Sequence, residues 1–175
     1  MKNILIILLI LISTLSFSQN NSEFEIFRKV IAHEIRDGSL YLQCEKQRTF
    51  FDLKNFKNQT SLKIPENILI EIATNAKRSE DGIWKSGLLK EFKYGSDIKS
   101  RECLSKEDAR QLFEKTGKRQ NIVSISNPIF DDNYENCVVS VTYWMFKGSV
   151  YGKSYFLKKV YGVWTLIAEY DMWLS

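Results

Sequence analysis

The sequence predicts an α+β fold in which N-terminal helices pack on a C-terminal four-stranded antiparallel meander. Two observations set the class. Apolar residues recur at helical spacing in the first two-thirds of the chain. From Asn121 onward, the runs "NIVSISNPIF", "NCVVSVTYWMF", "KSYFLKKV" and "VWTLIAEYDMWL" are separated by the turn-forming "DDNYE", "KGSVYG" and "YG". A third observation locates the centre of the fold. Residues 130–175 hold 12 of the 23 aromatic side chains, so the meander carries the largest apolar surface.

The chain opens with "MKNILIILLILISTLSFSQN". Lys2 precedes an unbroken apolar run from Ile4 to Ile12, and Ser16 and Ser18 form a small-residue cleavage pattern before Gln19. A membrane-spanning helix needs about 20 apolar residues, and this run stops well short of that. Residues 1–18 therefore read as a signal peptide, and residues 19–175 as one α+β domain. No cysteine lies near the cleavage point to receive a lipid. Without the leader the formal charge falls from +4 to +3, and its short basic stretches, "KNFKNQTSLK" and "KTGKRQ", are separated and diluted. Nucleic-acid binders concentrate basic charge in a patch or stripe, so nucleic acid is not an expected partner. Stable membrane insertion is not expected either.

The elements follow in order. "SEFEIFRKVIAHEIRDG" combines a Ser22–Glu25 capping box, a stripe of Phe24, Phe27, Val30, Ile31 and Ile35, and Gly38 as a C-terminal cap, which predicts a helix. "SLYLQC" and "RTFFDL", separated by "EKQ", predict a hairpin. "IPENILIEIATNAKR" predicts a second helix with Pro65 in its first turn. Residues 80–100 contain Trp84, Leu88 and Leu89 but no pattern that selects strand over irregular structure. "SKEDARQLFEKTG" predicts a third helix that starts at Ser105, carries acids in its first turn and ends at Gly117.

In the last hairpin, Tyr161-Gly162 is the two-residue loop, with Val160 opposite Val163, Leu157 opposite Leu166 and Tyr155 opposite Ala168. Strict alternation then assigns Trp164, Leu166, Ala168, Tyr170, Met172 and Leu174 to one core-facing side. Val163, Thr165, Ile167, Glu169, Asp171 and Trp173 fall on the other, mixed side. Glu169, Asp171 and Trp173 are accordingly the candidate binding residues.

Little conventional catalytic chemistry is available. His33 is the only histidine, and its place in an amphipathic helix suits a structural residue better than a triad member. No phosphate-binding glycine loop, GxSxG elbow or HExxH motif occurs. Adjacent acids, Glu169 with Asp171 or Asp131 with Asp132, are the only hint of acid–base work. Cys44, Cys103 and Cys137 are spaced by 59 and 34 residues, which matches no compact metal motif. They permit one intramolecular disulfide and leave at least one thiol over, with no pair favoured by spacing. Cys137 opens a strand beside Val139 and Val141 and is expected to be buried. No catalytic residue, metal site or cofactor is called for.

The block "ISNPIF … VYGKSYFLKKVYGVWTLIAEYDMWLS" resembles small exported proteins of Bacteroidetes, through Ser126, Pro128, Ile129, Phe130, Gly152, Gly162, Trp164, Trp173, Leu174 and Ser175. The resemblance spans about the last 55 residues and implies a periplasmic or secreted location, with no activity attached. The helix–hairpin–helix–meander order also resembles NTF2-like folds, a likeness of architecture alone. Together these readings point to an exported, non-catalytic domain that binds a small ligand or another protein. A carboxylate-based hydrolytic enzyme and an inhibitor or immunity-type protein are the alternatives. Intact-mass measurement of protein recovered from periplasm or medium is expected to show cleavage between Ser18 and Gln19; a mass that retains the leader refutes export by this route.

Overall fold

The computed structural model of the protein describes residues 22–34, 40–84, 103–145 and 148–175. The expected leader and its cleavage point, the Gly38 cap, and Leu88 with Leu89 lie outside the described residues. The fold is α+β, with four helices and a mostly antiparallel six-stranded sheet among the described residues.

Helix α1 covers residues 22–34 and buries Ile26, Phe27, Val30 and Ile31. That stripe is turned slightly from the expected one: Ile26 replaces Phe24, which is only half buried and lies under the Arg28 guanidinium. Strand β1 (Leu40–Leu42) runs parallel to β4 (Asn121–Ile125). The expected hairpin between "SLYLQC" and "RTFFDL" does not form. The first half becomes this edge strand, whose outer side is closed by a parallel bridge from Gln43 to Leu104. Beyond it, the short β2 (Glu45–Lys46) pairs with β3 (Gly82–Ile83). The second half is extended only to Asp52, which caps helix α2 (Leu53–Gln59) by accepting a hydrogen bond from the Asn55 N–H at 2.8 Å. Thr49 is pinned in the extended part, because its hydroxyl is shared with Ser126 and the Asn127 carbonyl. A capping aspartate thus overrides the apolar "TFFDL" pattern.

Helix α3 (Glu66–Ala76) follows Pro65, which stands at its N-cap and not inside the first turn. Helix α4 (Lys106–Thr116) has the expected boundaries. Ser105 and Asp108 form a reciprocal capping box, and Gly117 ends the helix with φ +64°. The disulfide joins Cys44 to Cys103, whose Cα atoms are 4.8 Å apart, and Cys137 is the buried free thiol. The bridge ties the segment leading into α4 to the end of β1.

The expected meander is present: β4, β6 (Asn136–Met145), β7 (Val150–Val160) and β8 (Val163–Leu174) lie side by side in that order. The first run is interrupted at Ser126–Pro128, so β5 (Ile129–Phe130) makes a separate pairing with β6. Tyr161 and Gly162 both have positive φ, 50° and 79°, as a two-residue type I′ hairpin turn requires.

Both faces of the sheet are core. On one, Cys137, Val139, Val141, Tyr155, Leu157 and Trp164 pack with α1 and Trp84. On the other, Val138, Phe156 and Tyr170 pack with Phe56 of α2 and Leu69 and Ile72 of α3. The single core-facing side assigned to β8 by strict alternation is therefore divided between two cores. The cause lies in the register. Leu157 pairs with Leu166, but Phe156 pairs with Ala168, so Ile167 is an extra residue and the faces exchange beyond it. A second irregularity separates the Ser154–Tyr170 pair from Gly152–Trp173, and Asp171 within it has φ +54°.

Adjacent residues Phe156 and Leu157 serve opposite cores, and each is 0% exposed. Phe156→Ala and Leu157→Ala should each lower the unfolding free energy by roughly 2–5 kcal/mol in urea titrations. Trp173→Ala, at a residue 44% exposed, should lose less than Trp164→Ala, at a residue 2% exposed. A near-neutral Phe156→Ala would contradict the second core.

Candidate functional site

A cavity of about 680 Å³ opens on the α1 side of the sheet, where the described part of α1 ends beside β4, β6, β7 and β8. Its chemistry comes from His33, Glu34, Tyr143, Tyr151, Lys153 and Glu169. Local structure explains how they meet. Residues 27, 30, 31 and 34 share one helical stripe, so Glu34 continues the line of Phe27, Val30 and Ile31 toward the sheet. Tyr151, Lys153 and Tyr155 alternate along β7 onto that same face. Glu169 pairs with Tyr155 across the β7–β8 ladder and reaches this face only because Ile167 adds a residue to β8.

At the centre, the Lys153 ammonium lies 3.3 Å from Glu34 Oε1 and 3.3 Å from Glu169 Oε2. Glu34 is the more enclosed partner, with its side chain 5% exposed against 33% for Glu169. His33 Nε2 stands 4.0 Å from the same Glu169 Oε2. The Tyr155 ring underlies the group: it meets the His33 imidazole edge-on at 5.5 Å and lies 5.2 Å from Lys153 Nζ. Tyr143 and Tyr151 are register partners on β6 and β7, and their rings stack at 4.6 Å with 8° between planes.

The phenols remain neutral. Burial holds the Tyr143 hydroxyl well above its ordinary range, and Tyr151 and Glu169 add to the effect. Burial also raises Tyr151, with Glu34 contributing and Lys153 opposing. The cavity thus offers neutral hydroxyls, two glutamates and one ammonium already held between them. Among the described residues, no group of three His, Cys, Asp or Glu side chains is placed to hold a metal ion.

Of the three candidate binding residues, only Glu169 lines this cavity. Asp171 sits in the second bulge, where its carboxylate accepts a hydrogen bond from the Asn55 side chain at 2.8 Å and its N–H donates to Gln59. It fastens α2 to the sheet edge. Trp173 lies on the opposite face over Gly152, so close that a Cβ at that glycine would come within 2.6 Å of the indole. The three proposed binding residues are not brought together. Sequence reasoning missed Glu34, Lys153, Tyr143 and Tyr151, and treated His33 as structural. A usable signal existed: Glu34 and Lys153 each put a charge on a stripe or face that is otherwise apolar.

The raised phenols predict a pH dependence. Unfolded tyrosines ionise near about pH 10, whereas Tyr143 and Tyr170, which burial also raises, stay protonated above it in the folded state. Their contribution is complete below that pH and is lost as the pH rises, because the unfolded state then releases protons that the folded state keeps. The urea midpoint should fall above about pH 10, and less steeply in Tyr143→Phe. Phenolate absorbance of the native protein should show fewer than eight ionised tyrosines until unfolding.

Compared with known protein families, curated proteins and solved structures, the chain matches none.

Proposed function

We propose that this protein is an exported binding domain that receives a small ligand in the cavity between α1 and the sheet. The observation that carries the reading is Lys153 held between Glu34 and Glu169 in the wall of an open cavity. Removing charges from water is expensive, and replacing a buried ion pair with apolar side chains of similar volume often leaves stability unchanged or raises it. Charged groups that converge on a cavity lined by aromatic rings are characteristic of ligand sites. The leader-like N-terminus and the resemblance of the C-terminal block to small exported proteins support a periplasmic or secreted location. The Cys44–Cys103 disulfide suits the same oxidising compartment.

Binding is favoured over the hydrolytic alternative because Glu34 and Glu169 are both tied to one ammonium, which leaves neither carboxylate as a free partner for acid–base work. Native mass spectrometry of protein incubated with the small-molecule fraction of spent culture medium tests the reading. The wild type should gain a discrete mass of small-molecule size that Tyr151→Ala, at a half-exposed wall residue, loses while its melting temperature stays close to wild type. An adduct retained by the variant would move the site elsewhere.

A further inference from the structure

We infer that the ligand of this cavity carries a cationic group on an aromatic or apolar body, with the cation directed to Glu169 and the body against Tyr151. This inference rests on the binding reading above and adds the ligand's charge.

Three features select a cation. First, among the described residues the titratable lining contains two carboxylates, Glu34 and Glu169, against one ammonium, Lys153, so with His33 counted as uncharged these described groups sum to a formal charge of −1. An anion approaching Lys153 would meet both carboxylates, which already occupy that ammonium. Second, Glu169 retains acceptor capacity. Its ionic contacts with Lys153 and His33 both fall on Oε2, and Oε1 accepts no hydrogen bond from a described residue. A carboxylate offers about four acceptor positions, so a further N–H donor fits there without displacing Lys153. Third, the Tyr151 ring is 46% exposed and backed by Tyr143. Stacking fixes the orientation of the outer ring, and its electron-rich face attracts cations and apolar groups alike. Leu40 and Met145 supply apolar lining for the rest of the molecule.

Three probes that share one ring and differ in charge test this: benzyltrimethylammonium, benzoate and benzyl alcohol, each titrated into the isotopically labelled protein and followed by NMR shifts of Tyr151, Lys153 and Glu169. The cation should move these resonances at the lowest concentration and benzoate should not move them. Glu169→Gln should weaken the cation about tenfold, the loss typical of one charged partner, and leave the alcohol's affinity unchanged. The dispersed spectrum of the variant reports that it is folded. Tyr151→Leu, which keeps an apolar wall but removes the ring, should weaken the cation more than the alcohol. Binding of benzoate or the alcohol as tight as that of the cation, or a cation indifferent to Glu169→Gln, overturns the cationic class and leaves the cavity as a binding site. If no probe moves the cavity resonances, both readings fall.

Discussion

The arrangement depends on β6 and β7 being buried on both sides at once. Val138 and Val139, like Phe156 and Leu157, are neighbours in sequence that serve different cores, and all four are 0% exposed. A strand covered on one face has its register set by one apolar set; here a slip of one residue would exchange two sets of different shape. The α1 side takes the wide Trp164 and Tyr155, while the α2–α3 side takes Phe156 and Tyr170 around Phe56. Helix positions follow from that choice. Neither α2, with seven residues, nor α3, with eleven, is long enough to be stable alone, and each is held by the apolar surface it covers.

The first irregularity in β8 brings Glu169 to the cavity face. Before Ile167, Trp164 and Leu166 face α1; beyond it, Ala168 and Tyr170 face α2 and α3, and Glu169 takes the α1 side. Without the extra residue Glu169 would point into the second core, among Phe56 and Phe156, and would meet neither Lys153 nor His33. The second irregularity performs a different task. Asp171 there bonds to Asn55 and Gln59, so the open edge of the sheet is tied to α2 at the point where the ladder is broken. Bulged, helix-covered edges resist pairing with foreign strands.

Much of this was legible from local chemistry. The Ser105–Asp108 box, the Gly117 stop, the Tyr161-Gly162 turn and the four-strand meander are all written within a few residues of where they occur. What was not legible depends on partners remote in sequence. "TFFDL" has strand-like composition, yet its fate was decided by Asp52 capping a helix and by Thr49 finding Ser126, 77 residues away. The parallel pairing of Leu40–Leu42 with β4 spans some eighty residues and has no local signature. Strict alternation failed in β8 because a bulge leaves almost no trace in composition. Asp171 at positive φ is the one residue whose type hinted at it, since aspartate tolerates that conformation better than most. That failure grouped Glu169 with Trp173, when the fold sets them on opposite faces.

The ionic group at the cavity stands apart from the forces that hold the fold. Lys153 projects between Tyr151 and Tyr155, opposite Val141, on a face where Val139, Leu157 and Trp164 pack in the apolar core. Nothing in the sheet's hydrogen bonding requires a charge there, because the ladder is made by backbone groups alone. Glu34 likewise ends a stripe that Phe27, Val30 and Ile31 would complete with another apolar residue. An aliphatic pair at these two positions would pack α1 on the sheet without desolvating either charge. The same pair would also remove what distinguishes this end of the molecule: a fixed ammonium that orients two carboxylates beside an exposed aromatic ring. Folding accounts for the apolar part of this face. The charges are what the proposed binding role would account for.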